Sequence, residues 1–268
     1  MNLSGKVAIV TGAAGGFGQV LVRALRDAGA GVAALDIKDI RREEGVLPIT
    51  ADIGDYAACA AAVEKTVNEL GGLHILINNG ALGLQIIRTD HMTRLVDIEE
   101  ISPAMWQRFM AVNLSGAWNM TRASIGRLRA QRWGRVINVT TSFFTMLRGG
   151  FQPYGPAKAA LEAMSAAHAQ EFRGSGVTVN VVVPGGPADT PMVPAESGIK
   201  RSELIRPEVM APPVVWLSSD AAAEITGNRY VAAHWDTAIA PAEAERKCRA
   251  PAAWPQLAQD PVWPGGKP

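Results

Sequence analysis

Short apolar runs alternate with stretches of helical periodicity along the first part of the chain. Residues 6–10 form an apolar run rich in β-branched side chains, and residues 31–36 form a second run that ends in Asp36. Between them, apolar residues recur at helical spacing from Val20 to Leu25. An alternation of strand, helix and strand is typical of α/β proteins with a parallel sheet.

The same alternation continues downstream. Further strands are predicted at 49–53, 73–80, 135–142 and 229–233, and helices at 56–70, 103–132, 154–172 and 207–218. The runs 73–80 and 135–142 are almost continuously apolar, as expected for strands covered on both faces. An Asn and a Gly at 113–116 interrupt the helix 103–132 and predict a kink or a water site there. We therefore expect a single-domain, doubly wound parallel sheet of the Rossmann type, with helices on both faces.

This domain is predicted to cover residues 1–236. Residues 237–268 form a Pro-containing tail with two tryptophans, Trp254 and Trp263. A tail of this composition is expected to be either mobile or docked on a surface. Exposed tryptophans are unfavourable, which gives the docked alternative its support.

Composition restricts the partners. The chain has 268 residues, of which 48% are hydrophobic and 19% charged, and a net charge of +1. Without a broad basic surface, we expect neither nucleic acid nor an anionic membrane as partner. No apolar run is long enough to span a bilayer, and the N-terminus lacks the charged-then-apolar pattern of a signal peptide. The expected partner is a small molecule.

Cysteine and histidine usage argues against disulfides and metals. The cysteines, Cys59 and Cys248, are too few for a disulfide framework and lack metal-ligand spacing. The histidines show no ligand spacing either; they are His74, His91, His168 and His234. We expect no metal site, and a cytoplasmic location.

A glycine-rich turn follows the first strand directly. The segment runs from Thr11 to Gly18, and its candidate cofactor-binding residues are Gly12, Gly15, Gly16, Phe17 and Gly18. Glycines permit a tight turn and let backbone N–H groups approach a pyrophosphate at the positive end of the following helix. Because this turn lies between a predicted strand and a predicted helix, it is a candidate dinucleotide site.

The carboxylate at the end of the second strand bears on cofactor choice. A dinucleotide fold places its ribose-binding acid where Asp36 stands. A carboxylate accepts hydrogen bonds from ribose hydroxyls and repels a 2′-phosphate, so Asp36 favours NAD. Lys38, Arg41 and Arg42 follow closely, and NADP therefore stays possible.

Tyr154 and Lys158 carry the candidate chemistry. Residues at i and i+4 share one helix face, and Pro153 and Pro156 fit a helix that begins near Tyr154. An ammonium beside a phenol can lower the phenol's pKa and make it a usable acid or base. Upstream, residues 140–142 place three hydroxyls at the predicted strand end, where open α/β sheets bind ligands.

Taken in order, these motifs resemble the short-chain dehydrogenase/reductase family over about residues 4–236. They are Thr11–Gly18, Asp52, Asn78-Asn79-Gly80-Ala81, Asn113, Thr140-Thr141-Ser142, Tyr154 with Lys158, Pro184-Gly185, and Thr190. The resemblance implies an oxidoreductase that moves a hydride between a nicotinamide cofactor and a carbonyl or secondary alcohol.

The resemblance also implies residue roles. Tyr154 is the general acid/base, Lys158 binds the nicotinamide ribose and depresses the tyrosine pKa, and Asn113 holds a relay water. Thr190 touches the carboxamide. The cofactor is expected to run along further candidate residues, namely Asp52, Ile53, Asn79, Gly80, Pro184 and Gly185. The stretch 192–206 corresponds to a mobile loop over the substrate, and the family predicts a homo-oligomer, here a tetramer.

Three departures from the family pattern stand out. The position of the catalytic serine is occupied by Thr141, with Ser142 one step later, and either hydroxyl can serve; we favour Thr141. The usual Asn-Asn-Ala-Gly is Asn-Asn-Gly-Ala here. Pro187 lacks an N–H near the place where the family donates one to the carboxamide.

Several functions stay open. The leading prediction is an NAD-dependent dehydrogenase or reductase. The alternatives are a non-catalytic NAD-binding sensor or scaffold, or an enzyme specific for 3-oxoacyl or sugar and polyol substrates. Position in the chain predicts a mainly apolar pocket with one cation, lined by Phe143, Phe144, Met146, Arg148, Phe151, Met192 and Val193.

Overall fold

One sheet organises the chain in the computed structural model, which describes residues 1–258. Its strand order is β3-β2-β1-β4-β5-β6-β7-β8. The strands are β1 (Val7–Thr11), β2 (Gly31–Asp36), β3 (Val46–Thr50), β4 (Ile75–Asn78), β5 (Gly134–Val139), β6 (Val177–Val183), β7 (Asn228–Val231) and β8 (Arg249–Pro251). β1 to β7 pair in parallel and β8 is antiparallel to β7.

Helices cover the two faces. They are α1 (Gly16–Asp27), α2 (Tyr56–Leu70), α3 (Pro103–Met110), α4 (Gly116–Ala130), α5 (Phe143–Leu147), α6 (Tyr154–Glu171), α7 (Ala211–Leu217) and α8 (Pro241–Cys248). Alternate residues of β1 face opposite sides: Val10 joins the core under α1 and α7, and Ile9 joins the core under α2 and α4. This confirms the predicted doubly wound sheet.

The strand order reverses between β1 and β4. From β1 the chain proceeds outward to β2 and β3 and then returns to β4 on the other side of β1. A crevice forms at such a switch point, outside the carboxyl ends of the strands, and ligands of open α/β sheets bind there. The glycine turn after β1 lies at this edge.

Some element bounds differ from the sequence prediction. β3 lies at Val46–Thr50 instead of 49–53, because pairing of Asp36 with Thr50 fixes its register. β5 ends at Val139, so the three hydroxyls at 140–142 lie beyond the strand. β6, which the sequence analysis did not single out, fills the sheet between β5 and β7.

The predicted long helix at 103–132 is divided. α3 and α4 are joined by a π-helix at Ala111–Ser115, and Asn113 lies in its middle. An extra residue in a helical turn leaves one backbone position out of the regular ladder. The interruption expected at Asn113 is therefore a π-helix within a continuous helical rod.

The C-terminal segment packs on the sheet as far as it is described. α8 follows β7, and the phenol of Tyr230 donates a 2.7 Å hydrogen bond to Glu245 of that helix. β8 then pairs with β7, so residues 249–251 form the sheet edge. Trp254 packs against Phe143 with ring centroids 5.8 Å apart; Trp263 lies outside the described residues. No helix within residues 1–258 is long and apolar enough to cross a membrane.

Candidate active site

The glycine turn between β1 and α1 is held against its neighbours so closely that side chains are excluded. Gly12 has φ +66°, and a β-carbon there would lie 2.6 Å from Cα of Gly80. A β-carbon at Gly18 would overlap the carbonyl of Gly12. The turn leaves the backbone of Gly15 and Gly16 at the start of α1. This cradle of bare backbone at a helix N-terminus fits a dinucleotide pyrophosphate.

Asp36 is tied to this turn. Its carboxylate accepts hydrogen bonds from the N–H of Ala14 at 3.0 Å and from the N–H of Lys38 at 3.0 Å. Two backbone donors fix the carboxylate at the end of β2, beside the predicted pyrophosphate position. Phe17, in contrast, packs partly buried against the core under α1, so its side chain anchors the helix.

Thr11 joins the glycine turn to the end of β4, a role that the sequence analysis missed. Its hydroxyl accepts hydrogen bonds from the N–H groups of Asn79 and Gly80 at 3.0 and 2.9 Å. The Asn79 amide in turn donates to the carbonyls of Thr11 and Gly12. Asn79 and Gly80 are therefore held beside the glycine turn, and a threonine at the last position of β1 is the sequence signal for this contact.

A cavity lies between Asp36 and the β3–α2 connection. Asp52 points to it and forms a 2.8 Å ion pair with Arg108 of α3. Burial raises the pKa of the Asp52 carboxyl, but hydrogen bonds from Arg108 and from the Gly54 N–H outweigh it and hold the pKa below its usual range. The cavity is lined by Gly12, Leu35, Asp36, Ile37, Asp52, Ile53, Gly80, Leu82, Arg108 and Val112, among others.

This lining combines apolar walls with hydrogen-bonding groups, as a flat heterocycle requires. Asp52 and Ile53, two of the predicted cofactor residues, are brought here together with Asp36 and Gly80. Arg108 was not predicted. Its position on α3, distant in sequence from the strand ends, gave no pattern by which to find it.

The predicted catalytic residues converge beyond the carboxyl end of β5. Tyr154 begins α6, and the Thr141 side chain acts on its phenol by lowering the pKa of Tyr154. Ser142 is used differently: its Oγ accepts a hydrogen bond from the N–H of Thr145 and caps α5. Of the two hydroxyls left open by the sequence, Ser142 is engaged in capping α5, and Thr141 is the one that influences the pKa of Tyr154.

The protonation of the Tyr154–Lys158 pair differs from the sequence expectation. Burial raises the pKa of Tyr154 to about 12, with the Thr141 hydroxyl opposing the rise. Burial lowers the pKa of Lys158 to about 8. The Lys158 ammonium donates to the carbonyl of Val139 at 2.7 Å and lies 6.0 Å from the centroid of the Tyr154 ring. The expected depression of the tyrosine pKa by Lys158 is therefore not present in this structure, because desolvation dominates both groups.

Asn113 is buried, and its amide forms a reciprocal pair of hydrogen bonds with the backbone of Leu82. The amide oxygen accepts from the N–H of Leu82 at 2.7 Å, and the amide nitrogen donates to the carbonyl of Leu82 at 2.8 Å. This pairing ties the π-helix to the segment after β4. Because the amide is held by Leu82, the orientation of the Asn113 side chain is fixed.

The turn after β6 closes the site from the other side. Gly185 has φ +112°, and a β-carbon there would lie 3.0 Å from both Val231 and Ala233. Thr190 is nearly buried and lies against Gly16, where an added β-carbon would be 3.3 Å from the threonine side chain. Pro184 and Gly185 therefore direct the chain back to the glycine turn, where Thr190 packs.

Pro187, which lacks an N–H, takes part in the hydrogen bonding of this turn through its carbonyl. That carbonyl accepts from the N–H of Ile205 at 2.9 Å, and the Asp189 N–H donates to the carbonyl of Ile205 at 2.9 Å. Asp189 also forms ion pairs with Arg201 and Arg206 at 3.1 and 3.4 Å. The loop 192–206 is thus attached to the turn at its C-terminal end.

Apolar side chains pack against the ring of Tyr154. Tyr154 packs with Phe151, Leu84 and Phe109 in one cluster. The Arg148 guanidinium lies 4.9 Å from the centroid of the Phe151 ring. Of the other predicted pocket residues, Met146 and Val193 are buried and Met192 lies beside Gly83, whereas Phe144 is 71% exposed. Phe143 packs against Arg229 and Trp254.

Comparison with known proteins agrees with this arrangement. The family model described as short chain dehydrogenase matches residues 6–198. The chain is 31% identical over 243 residues to the acetoacetyl-CoA reductase of Paracoccus denitrificans, covering 85% of this chain and 96% of that one. It is 31% identical over 245 residues to the 2,3-dihydro-2,3-dihydroxybenzoate dehydrogenase of Escherichia coli, covering 84% and 94%.

Among solved structures, the 3-ketoacyl-(acyl-carrier-protein) reductase of Brucella melitensis, complexed with NADH, superposes with a TM-score of 0.73. The two chains are 25% identical, and the match covers 85% of this chain and 96% of the other. The chain belongs to the short-chain dehydrogenase family, and it is an oxidoreductase of that class with a nicotinamide cofactor.

Proposed function

We propose that the chain transfers a hydride between NAD(H) and a carbonyl or secondary alcohol carbon, with Tyr154 as general acid/base. The observation that carries the proposal is that Tyr154, Thr141 and Lys158 lie together beyond the carboxyl end of β5, the same end of the sheet at which the glycine turn follows β1. When bound, the nicotinamide supplies or accepts the hydride. The side chains of this chain would then bind the substrate oxygen and move its proton.

The proton is assigned to Tyr154. With its pKa raised by burial, the phenol is protonated at neutral pH and is ready to donate to a carbonyl oxygen in the direction of reduction. The Thr141 hydroxyl would hydrogen-bond the same oxygen and orient it. In oxidation the phenolate must form, and a positive charge near it favours that state; the ammonium of Lys158 is the cation available on α6.

Lys158 and Asn113 are proposed to support this proton transfer. Lys158, whose ammonium is bonded to the carbonyl of Val139, would bind the nicotinamide ribose. Asn113, in the π-helix, would hold a relay water, with its side chain oriented by Leu82. Asp52, Ile53 and Gly80 are proposed as cofactor contacts because they line a cavity together with Gly12. Asn79 and Thr190 are proposed because they contact the glycine turn, and Pro184 and Gly185 because they lead the chain to Thr190.

Preference for NAD rests on Asp36. Its carboxylate is held at the end of β2 by two backbone donors, where a 2′-phosphate would meet a negative charge. Gly15 offers no positive side chain to compensate. Relatives whose names specify acetoacetyl-CoA and 3-oxoacyl substrates support reduction of a ketone as the reaction class.

The substrate is proposed to be mainly apolar. Phe151, Leu84 and Phe109 form the wall beside Tyr154, and burial of apolar surface there contributes about 25 cal/mol per Å². Arg148, lying over Phe151, is the cation that can pair with a carboxylate or phosphate on the substrate. A polyol would leave its hydroxyls unpaired against this wall.

The test measures the turnover of a panel of substrates through the change in NADH absorbance. We would compare acetoacetyl-CoA, a hydrophobic ketone without charge, its carboxylated analogue and a ketose, each in wild type and Arg148→Ala. Arg129→Ala, which removes a surface arginine paired with Glu171, is the matched control. The proposal expects the anionic substrates to lose kcat/KM in Arg148→Ala only. No turnover of any substrate would support the alternative of a non-catalytic NAD-binding protein.

A further inference from the structure

A buried ion pair lies directly behind the candidate catalytic hydroxyl. Arg229 of β7 and Glu162 of α6 approach to 2.7 Å, with side chains only 7% and 0% exposed. Burying two charges is expensive unless further hydrogen bonds satisfy them. Their remaining contacts therefore indicate what the pair holds in place.

The contacts go to the backbone and side chains that carry Thr141. The second guanidinium nitrogen of Arg229 donates to the carbonyl of Thr141 at 2.7 Å. The same Glu162 oxygen that meets Arg229 accepts a 2.6 Å hydrogen bond from the hydroxyl of Thr140. Two successive residues beyond β5 are thus hydrogen-bonded to the ion pair: Thr141 to the cation Arg229 and Thr140 to the anion Glu162.

The other end of the pair reaches the C-terminal segment. The second oxygen of Glu162 accepts from the N–H of Ala253 at 3.2 Å. The Arg229 guanidinium lies 4.2 Å from the centroid of the Phe143 ring, which packs in turn on Trp254. All the polar atoms of the Glu162 carboxylate are used, so its position is fixed by three separate segments of the chain.

Helix geometry connects this cluster to the phenol. Glu162 stands on α6 at the i+8 position from Tyr154 and at i+4 from Lys158, so the three side chains lie on one helix face. α6 therefore fixes the phenol at its first turn and the Thr140–Thr141 backbone two turns later. The distance between Tyr154 and the hydroxyl of Thr141 depends on both attachments.

We propose that Arg229 and Glu162 are positioning residues that hold the Thr141 hydroxyl against Tyr154. This inference rests on the proposed function, because Thr141 matters only if it orients the substrate oxygen. An ion pair that served the fold alone would need no bond to the carbonyl of the candidate catalytic residue. Reacting groups lose activity steeply when displaced by about 1 Å, so the pair acts on turnover through Thr141.

A double-mutant cycle tests this directly, because coupled residues show non-additive effects. The variants are Arg229→Met, Thr141→Ala and the combination of both, assayed with the best substrate of the panel above. NADH affinity is measured by fluorescence in each variant. Arg229→Lys restores the positive charge and serves as the rescue.

The matched control is Arg135→Met. Arg135 is 1% exposed and donates a hydrogen bond to the carbonyl of Ser219. It lies near the start of β5, whereas Thr141 follows the other end of that strand. Its replacement perturbs the core to a similar degree without touching the site. Where Arg229→Met fails to fold, Glu162→Gln keeps the shape of the side chain and enters the same cycle.

We expect Arg229→Met to lower kcat about thirtyfold and to leave NADH affinity within about threefold, with partial recovery in Arg229→Lys. In the Thr141→Ala background the same change is expected to alter kcat less than about threefold. Equal losses in both backgrounds, or an equal loss in Arg135→Met, would overturn the inference alone. If Thr141→Ala itself leaves kcat unchanged, the proposed role of Thr141 fails and the inference fails with it.

Discussion

The ammonium of Lys158 donates a 2.7 Å hydrogen bond to the carbonyl of Val139, the last residue of β5. This bond holds a buried cation at the carboxyl end of β5, the end of the sheet at which the glycine turn also follows β1. Burial lowers the pKa of Lys158 to about 8 from 10.5. The protein therefore maintains an ammonium in an unfavourable environment, and that cost is measurable.

Lys158 is expected to make stability depend on pH. The unfolded chain binds the lysine proton more tightly than the folded one, so the folded state is penalised by about 3 kcal/mol below pH 8. As pH rises from 8 to 10.5, the unfolded lysine loses its proton too and the penalty disappears. The free energy of unfolding of wild type, relative to Lys158→Met, should therefore rise across this window.

Urea unfolding at several pH values measures this difference. Lys65→Met, at an exposed position of α2, is the control and should show no such trend relative to wild type. A Lys158→Met difference that stays constant from pH 7 to pH 10.5 would show that burial does not disfavour the ammonium.

Asp36 is expected to determine the cofactor. Asp36→Asn keeps an acceptor for the Ala14 N–H but removes the charge that opposes a 2′-phosphate. We expect kcat/KM with NADPH to rise about tenfold and kcat/KM with NADH to fall. Asp39→Asn, an exposed acid three residues further on, is the control. An unchanged ratio of the two cofactors in Asp36→Asn would mean that Lys38 or Arg41 decides the preference.

A homo-oligomer, in particular a tetramer, stays a prediction. Exposed aromatic side chains lie on the α3–α4 rod, where Trp106 is 38% and Trp118 is 46% exposed. Apolar surface of this size on a helix with small neighbouring residues is typical of an interface between copies. Light scattering is expected to give a tetramer for wild type and a smaller species for Trp118→Glu. Leu257→Glu, which places the same charge at another exposed apolar position, should leave the mass unchanged; a monomeric wild type would contradict the prediction.

The sequence predicted those elements that local patterns define. Gly31–Asp36 and Tyr56–Leu70 have the predicted bounds because their glycine and acidic boundaries are local signals. α5 is absent from the predicted helices, since a five-residue helix capped by Ser142 has too few residues for a period. The direction of the pKa shift at Tyr154 was also predicted wrongly. That shift depends on desolvation by side chains distant in sequence, and the spacing of residues along α6 carries no information on it.

Contacts between distant segments account for the other omissions. Arg229 and Glu162 are 67 residues apart in sequence, and neither belongs to a recognisable motif. Asp52 was predicted as a cofactor residue, but its partner Arg108 comes from α3 on another layer of the fold. Such pairs appear only when the register of the sheet is known.

Tyr154→Phe tests the central claim most directly. The substitution removes the phenolic hydroxyl and keeps the ring that packs with Phe151 and Leu84. Steady-state turnover of the best panel substrate and NADH affinity by fluorescence would be measured on the same preparation. If Tyr154 is the general acid/base, kcat falls about a thousandfold while NADH affinity changes less than about threefold. Turnover within about tenfold of wild type would contradict the account.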